Sequence, residues 1–176
     1  MGTVNTFWKV LSGMQNCLDE WMKITQNFVI TSRNVDQIEK MIILSLKMKV
    51  TLLTYMLYIP IWKSEAVDQN IAPDPIISGK ELSKMLKILS SVEQKAGRKM
   101  IHIKFYNIPL CLLDKEVLSE REYIVSKFRR TRETNEVTGR DFYFNDECAH
   151  CRRYDECSGL TLFYKTHYGD EYLKAL

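Results

Sequence analysis

Four of the five cysteines in this 176-residue chain form one constellation. Cys148, Cys151 and Cys157 sit in a turn-rich stretch, CAHCRRYDECSG, and 36 intervening residues separate them from Cys111, which follows a strand-like run and a proline in KFYNIPLCLL. Thiolates are soft ligands, and four that converge make a metal site. Structural zinc sites usually arrange their cysteines as two pairs. Here one distant cysteine precedes three with gaps of two and five residues. Iron–sulfur clusters tolerate such unequal spacing, because a cube's corners face different ways. Spacing alone therefore leaves a [4Fe–4S] cluster and zinc both open. Gly159, two residues after Cys157, allows backbone N–H groups to approach the sulfurs. His150, inside the first gap, reads as a neighbour pointing away.

The elements that must position these cysteines follow from periodicity. Residues 5–22 carry Phe7, Val10, Leu11, Met14 and Leu18 at helical spacing. ITQNFVI at 24–30 reads as a strand. Asn34 with Gln37 suggests a capping box opening a second helix to about Lys49, with Ile38, Met41, Ile42, Ser45 and Leu46 inward. The apolar run Thr51–Tyr58 reads as a buried strand. A loop at 59–77 holds three of the four prolines. Ser78 and Glu81 suggest the cap of a third helix ending at Ala96–Gly97, and 100–105 is a third strand. This alternation predicts a parallel sheet with right-handed crossovers.

Three parallel strands do not close into a barrel, and the first would keep an open edge. The expected fold class is therefore α/β: an incomplete, half parallel β/α barrel at 1–108, followed by a small irregular cysteine-rich module at 109–176. The charged segment 114–140 suggests a helix over REYIVSKFRR.

Composition sets limits. A net charge of +3 is too small to argue for nucleic acid. Lys47 and Lys49 interrupt the most apolar stretch, so no membrane span is expected. The start, MGTVNTFWKV, lacks a signal-peptide pattern, which points to a cytoplasmic chain with reduced thiols. No P-loop, GxGxxG or H-E-x-x-H motif supports a conventional kinase or hydrolase. Arg129, Arg130, Arg132, Arg152 and Arg153 suit either an electropositive surround for thiolates or a solvated face. His102 and His167 read as structural, and Cys17 as a small buried hydrophobe.

The run from FYNIPLCLL through CAHCRRYDECSG to YKTHYGDEYL resembles the C-terminal region of radical SAM enzymes with an auxiliary iron–sulfur site of the SPASM/twitch kind. Cys111, Cys148, Cys151, Cys157, Gly159, Tyr164, Tyr168 and Gly169 carry the resemblance. ITQNFVI, the helix start at 34–38 and YMLYIPIWKSE resemble later βα units of the radical SAM partial barrel. The resemblance implies radical SAM barrel type for the half barrel and an auxiliary [4Fe–4S] cluster on the four cysteines. It also implies contact of Asn27 with S-adenosylmethionine, if a first half completes the barrel. No C-x3-C-x2-C loop stands in these residues. Pro60-Ile61-Trp62 stands where the family often has Pro-Gly. The expectation is a truncated or split member, unable alone to cleave S-adenosylmethionine, whose partner is a separately encoded N-terminal half and whose peptide or small-molecule substrate is unknown. A zinc-stapled interaction module and an electron-transfer iron–sulfur protein are the alternatives.

Overall fold

The computed structural model describes residues 6–60, 69–119, 124–125 and 142–176. Ile61, Trp62, Arg129, Arg130, Arg132 and Arg140 lie outside the described residues.

The chain runs α1 (Thr6–Asp19), β1 (Thr25–Ile30), α2 (Ile38–Lys47), β2 (Leu52–Leu57), α3 (Pro75–Ala96) and β3 (His102–Tyr106). Then come α4 (Lys115–Ser119), β4 (Ile124–Val125), β5 (Phe142–Tyr143), β6 (Leu160–Thr161) and α5 (Leu162–Tyr168). The first four strands form one parallel sheet in the order β1-β2-β3-β4, and β5 pairs with β6 antiparallel. The fold is thus mixed α/β with the expected parallel sheet. The segment Ile124–Val125 departs from expectation: it lengthens the sheet beside β3, where REYIVSKFRR suggested a helix.

Period-two burial along β1, β2 and β3 turns Phe28, Ile30, Leu53, Tyr55, Leu57, Ile103 and Phe105 to the helix side of the sheet. There α2 contributes Ile38, Ile42 and Ser45, and α3 contributes Leu82, Met85, Leu86 and Leu89. That last spacing is one helical stripe. Each buried Leu, Ile, Phe or Met side chain here is worth about 1.5–3 kcal/mol of burial. The same core continues through Leu110, Leu113, Val117, Leu160, Phe163, Tyr164 and Leu173, so residues on both sides of position 108 share one apolar cluster.

Two helix starts differ from expectation. Asn34 does not cap α2: its Oδ1 accepts the Thr31 N–H at 2.7 Å and its Nδ2 donates to the Val29 carbonyl at 2.9 Å. A short 3-10 turn at Val35–Gln37 then leads into α2. For α3 the cap is Asp74, whose Oδ1 accepts the N–H groups of Ile76 and Ile77 at 2.7 and 3.1 Å, with Pro75 at the first position. Ser78 lies inside that helix, and its hydroxyl donates to the Asp74 carbonyl at 2.8 Å. At the other end Gly97, at φ 64°, stops α3 where the sequence suggests.

The first helix stands apart from this order. None of its residues is buried; Phe7, Trp8 and Val10 are exposed, and Cys17 is half-buried where a buried position was expected. Among the described residues, no helix is long and apolar enough to cross a membrane.

Candidate metal centre

The turn that carries Cys111 is held by one face of α3. Gly79, Ser83 and Lys87 recur every four residues along it. A Cβ on Gly79 would lie 2.4 Å from the Leu112 carbonyl oxygen, so only glycine lets the 3-10 turn Leu110–Leu112 come this close. One turn on, Ser83 Oγ accepts the Asp114 N–H at 2.9 Å. Beyond it the Lys87 ammonium pairs with the Asp114 carboxylate at 2.5 Å.

The three local cysteines are fixed by turns and by one asparagine. Asn145 caps the 3-10 turn Asp146–His150, its Oδ1 accepting the Cys148 N–H at 3.1 Å. The Nδ2 of the same amide donates to the carbonyls of Asp170 and Leu173 at 3.2 and 3.1 Å. It therefore ties the cysteine loop to the C-terminal tail. Gly159 sits at φ 70°, and a Cβ there would meet the Tyr143 carbonyl oxygen at 2.9 Å and the Phe144 ring at 2.8 Å. In return its N–H reaches the Cys157 sulfur at 3.4 Å.

These supports bring Cys111, Cys148, Cys151 and Cys157 to the wall of a single small cavity, with a volume of about 10 Å³. Leu110, Phe144, Tyr154 and Leu176 supply apolar wall, and Arg153 and Lys174 stand at it as cations. All four cysteines are free thiols. Among the described residues, no group of three or more His, Cys, Asp or Glu side chains is arranged to hold a metal ion. Convergence on one cavity and a ligand geometry closed on one ion are distinct, and only the first is present.

The electrostatics favour protonated thiols in this arrangement. Burial pushes Cys111 up to about 11, and the nearby Cys157, Cys148 and Cys151 push the same way. Cys148 and Cys157 are also raised, burial first. Backbone N–H groups oppose this at each: Lys174 at Cys111, Asn145 at Cys148, Gly159 and Leu110 at Cys157. The site thus aims backbone dipoles at sulfur, the kind of contact that stabilises thiolate, against the cost of burying it.

The other singled-out residues fall elsewhere. Asn27 stands exposed on β1, in register with Thr54 of β2, on the sheet face turned away from the helices. His150 is exposed and does not line the cavity. Arg153 is both a wall residue and the partner of Glu156, at 2.6 Å, while Arg152 is exposed. His167 stacks on Phe163 at 4.1 Å, and its Nδ1 lies 2.9 Å from the Phe163 carbonyl oxygen within α5. Tyr164 donates to the Tyr58 carbonyl at 2.6 Å and Tyr168 to that of Ala72 at 3.3 Å, docking α5 beyond the ends of the strands.

Sequence reasoning passed over Asn145, Gly79 and Ser83. An asparagine three residues before a turn cysteine is a readable cap signal, and Gly-x3-Ser-x3-Lys is a readable helix face. What neither pattern reveals is the distant backbone it grips.

No family model matches the chain, and no curated protein is significantly similar to it.

Proposed function

We propose that Cys111, Cys148, Cys151 and Cys157 hold an iron–sulfur cluster of the [4Fe–4S] type, and that the chain is a truncated or split radical SAM protein. Residues 1–108 would be the second half of its partial barrel and 109–176 its auxiliary cluster module. The observation that carries the cluster reading is the arrival of a remote cysteine and three local ones at one cavity, with backbone N–H groups directed at the sulfurs. Hydrogen bonds to sulfur, net charge and burial are the protein's means of tuning such a cluster. A single tetrahedral zinc needs all four sulfurs within about 2.3 Å of it. One remote cysteine followed by three with gaps of two and five residues suits the four corners of a cubane better than the paired ligands of a zinc knuckle.

The cluster supplies one-electron chemistry or a rigid anchor when bound. The residues present do the rest. Four thiols lose their protons on loading, so affinity rises with pH. Arg153 and Lys174 offset the added negative charge. Leu110, Phe144, Tyr154 and Leu176 limit water at the sulfurs.

The incomplete-barrel reading is supported by the sheet. Its strands run in consecutive order, all parallel, with α2 and α3 on one face only. Among the described residues, β1 has no neighbour on its outer side, and no residue of α1 is fully buried. A separately supplied N-terminal half carrying C-x3-C-x2-C would extend the sheet there and give Asn27 its contact with S-adenosylmethionine.

The test is the metal content of anaerobically purified protein. Iron and acid-labile sulfide near four each per chain support the reading, with loss in Cys148→Ala, Cys151→Ala and Cys157→Ala variants. One tightly held zinc per chain in place of iron overturns the cluster and leaves a zinc-stapled interaction module.

A further inference from the structure

The segment that follows α5 runs along the cysteine cavity. Gly169, at φ 77°, ends α5. The chain is then anchored at Leu173. The Asn145 amide donates to the Asp170 and Leu173 carbonyls, and the Leu173 side chain belongs to the core. Residues 174–176 continue beyond this anchor with no helix, strand or turn of their own. The Lys174 N–H faces the Cys111 sulfur, and the main-chain oxygen of Leu176 accepts the Arg152 N–H at 3.3 Å. Arg152 directly follows Cys151. These three residues therefore bridge the remote cysteine to the loop of the local ones.

Two cavities meet at the bridge. The cysteine cavity holds about 10 Å³, at the limit for one water molecule. Beside it lies a groove of about 660 Å³, whose wall includes Leu113, Asp114, Glu147 and Glu171. Cys111, Lys174 and Leu176 line both. Among the described residues, the segment 174–176 thus stands with Cys111 between the groove and the other three thiols. Anything larger than a water reaches those thiols only when a wall moves. Most of the wall is held fast. Leu110 is fully buried, the Phe144 and Tyr154 rings pack at 4.9 Å, and Asn145 caps the turn that carries Cys148. By contrast Lys174 is exposed, and Ala175 and Leu176 are half-buried. A segment with few buried contacts and few backbone hydrogen bonds opens locally while the core stays folded.

We propose that residues 174–176 are a strap over the four thiols, and that its opening toward the groove admits and releases what they bind. The ligand class is a thiophilic metal, alone or with sulfide. The strap acts at the same site as the proposed cluster. That ligand rests on the metal reading, whereas the gate itself does not.

The test uses metal-free, reduced protein, so its outcome is independent of the iron and sulfide content. Iodoacetamide labels the thiols, and peptide mass spectrometry follows each cysteine separately. Cys17, which lies outside the cavity, is the internal reference. Removal of residues 174–176 should speed labelling of Cys111 and of at least one local cysteine by about tenfold or more relative to Cys17. Leu176→Ser, which keeps the main chain, should speed it several-fold and decides the matter if the shortened chain does not fold. The far-UV circular dichroism spectrum should not change in Leu176→Ser. Site thiols that label no faster relative to Cys17 in both variants, or an equal acceleration at Cys17, overturn the strap. Faster labelling in a chain that takes up no metal would retain the strap and remove the cluster.

Discussion

The two sides of the parallel sheet are finished to different degrees. On the β3 side, the chain beyond the strand is gripped at successive turns of α3, by Gly79, Ser83 and Lys87, before it reaches the cysteine cavity. Asn145 then ties the local cysteines to the tail by three hydrogen bonds. On the β1 side the strand is an edge among the described residues, and α1 shows Phe7, Trp8 and Val10 to solvent. Solvent-exposed rings on a helix gain no burial energy for the described residues. The contrast teaches that the cysteine side is tied down by contacts of this chain, while on the other side the described residues leave a strand edge and apolar side chains exposed.

Substitutions can break or sharpen that contrast. The largest effect is expected at Leu86, about 1% exposed between α3 and the sheet. Leu86→Ala should cost about 2–5 kcal/mol in chemical denaturation. Next is Gly159→Ala, which combines a positive φ with a close backbone approach. A loss of about 2–4 kcal/mol is expected, with impaired metal loading in the folded fraction. Asp74→Ala removes the cap of α3 and should cost about 1 kcal/mol. Smallest of all, Trp8→Ala should change stability by no more than about 0.5 kcal/mol, because Trp8 is 67% exposed. A cost at Trp8 comparable to that at Leu86 would abolish the distinction between the two sides.

Alkaline pH offers a further handle on the finished side. Burial raises the Tyr55 hydroxyl far above its ordinary value of 10, and the same hydroxyl donates to the Ile38 carbonyl at 3.2 Å. The folded chain keeps this proton where the unfolded chain releases it. Stability contributed by the neutral phenol is therefore intact below pH 10 and falls as pH rises above it. Tyr55→Phe should lose about 1 kcal/mol at neutral pH and show a shallower decline above pH 10 in denaturation midpoints.

Much of this architecture is legible in the sequence, and the misreadings have physical causes. The helix–strand alternation shows because burial imposes its period directly on Ile38, Ile42 and Ser45 and on Leu82, Met85, Leu86 and Leu89. Gly97 and Gly159 show because positive φ demands glycine. Capping is where local signals compete. Ser78–Glu81 satisfies the pattern, yet Asp74 followed by proline starts the helix a turn earlier, and Ser78 becomes a buried helical residue. Asn34 has the right spacing but spends its amide on the loop after β1. The four cysteines that line one cavity were singled out by residue type and spacing. The amides of Leu110 and Lys174 that serve it were not, since any residue carries an N–H.

The central claim is that Cys111 belongs to the same centre as the three cysteines that lie beyond 36 or more intervening residues. The most direct measurement is iron and acid-labile sulfide bound after anaerobic reconstitution, in the unaltered chain and in Cys111→Ala. The account predicts a brown protein with about four of each in the unaltered chain. In Cys111→Ala it predicts a folded protein that binds much less or loses its colour rapidly. Full and stable loading in Cys111→Ala would contradict it.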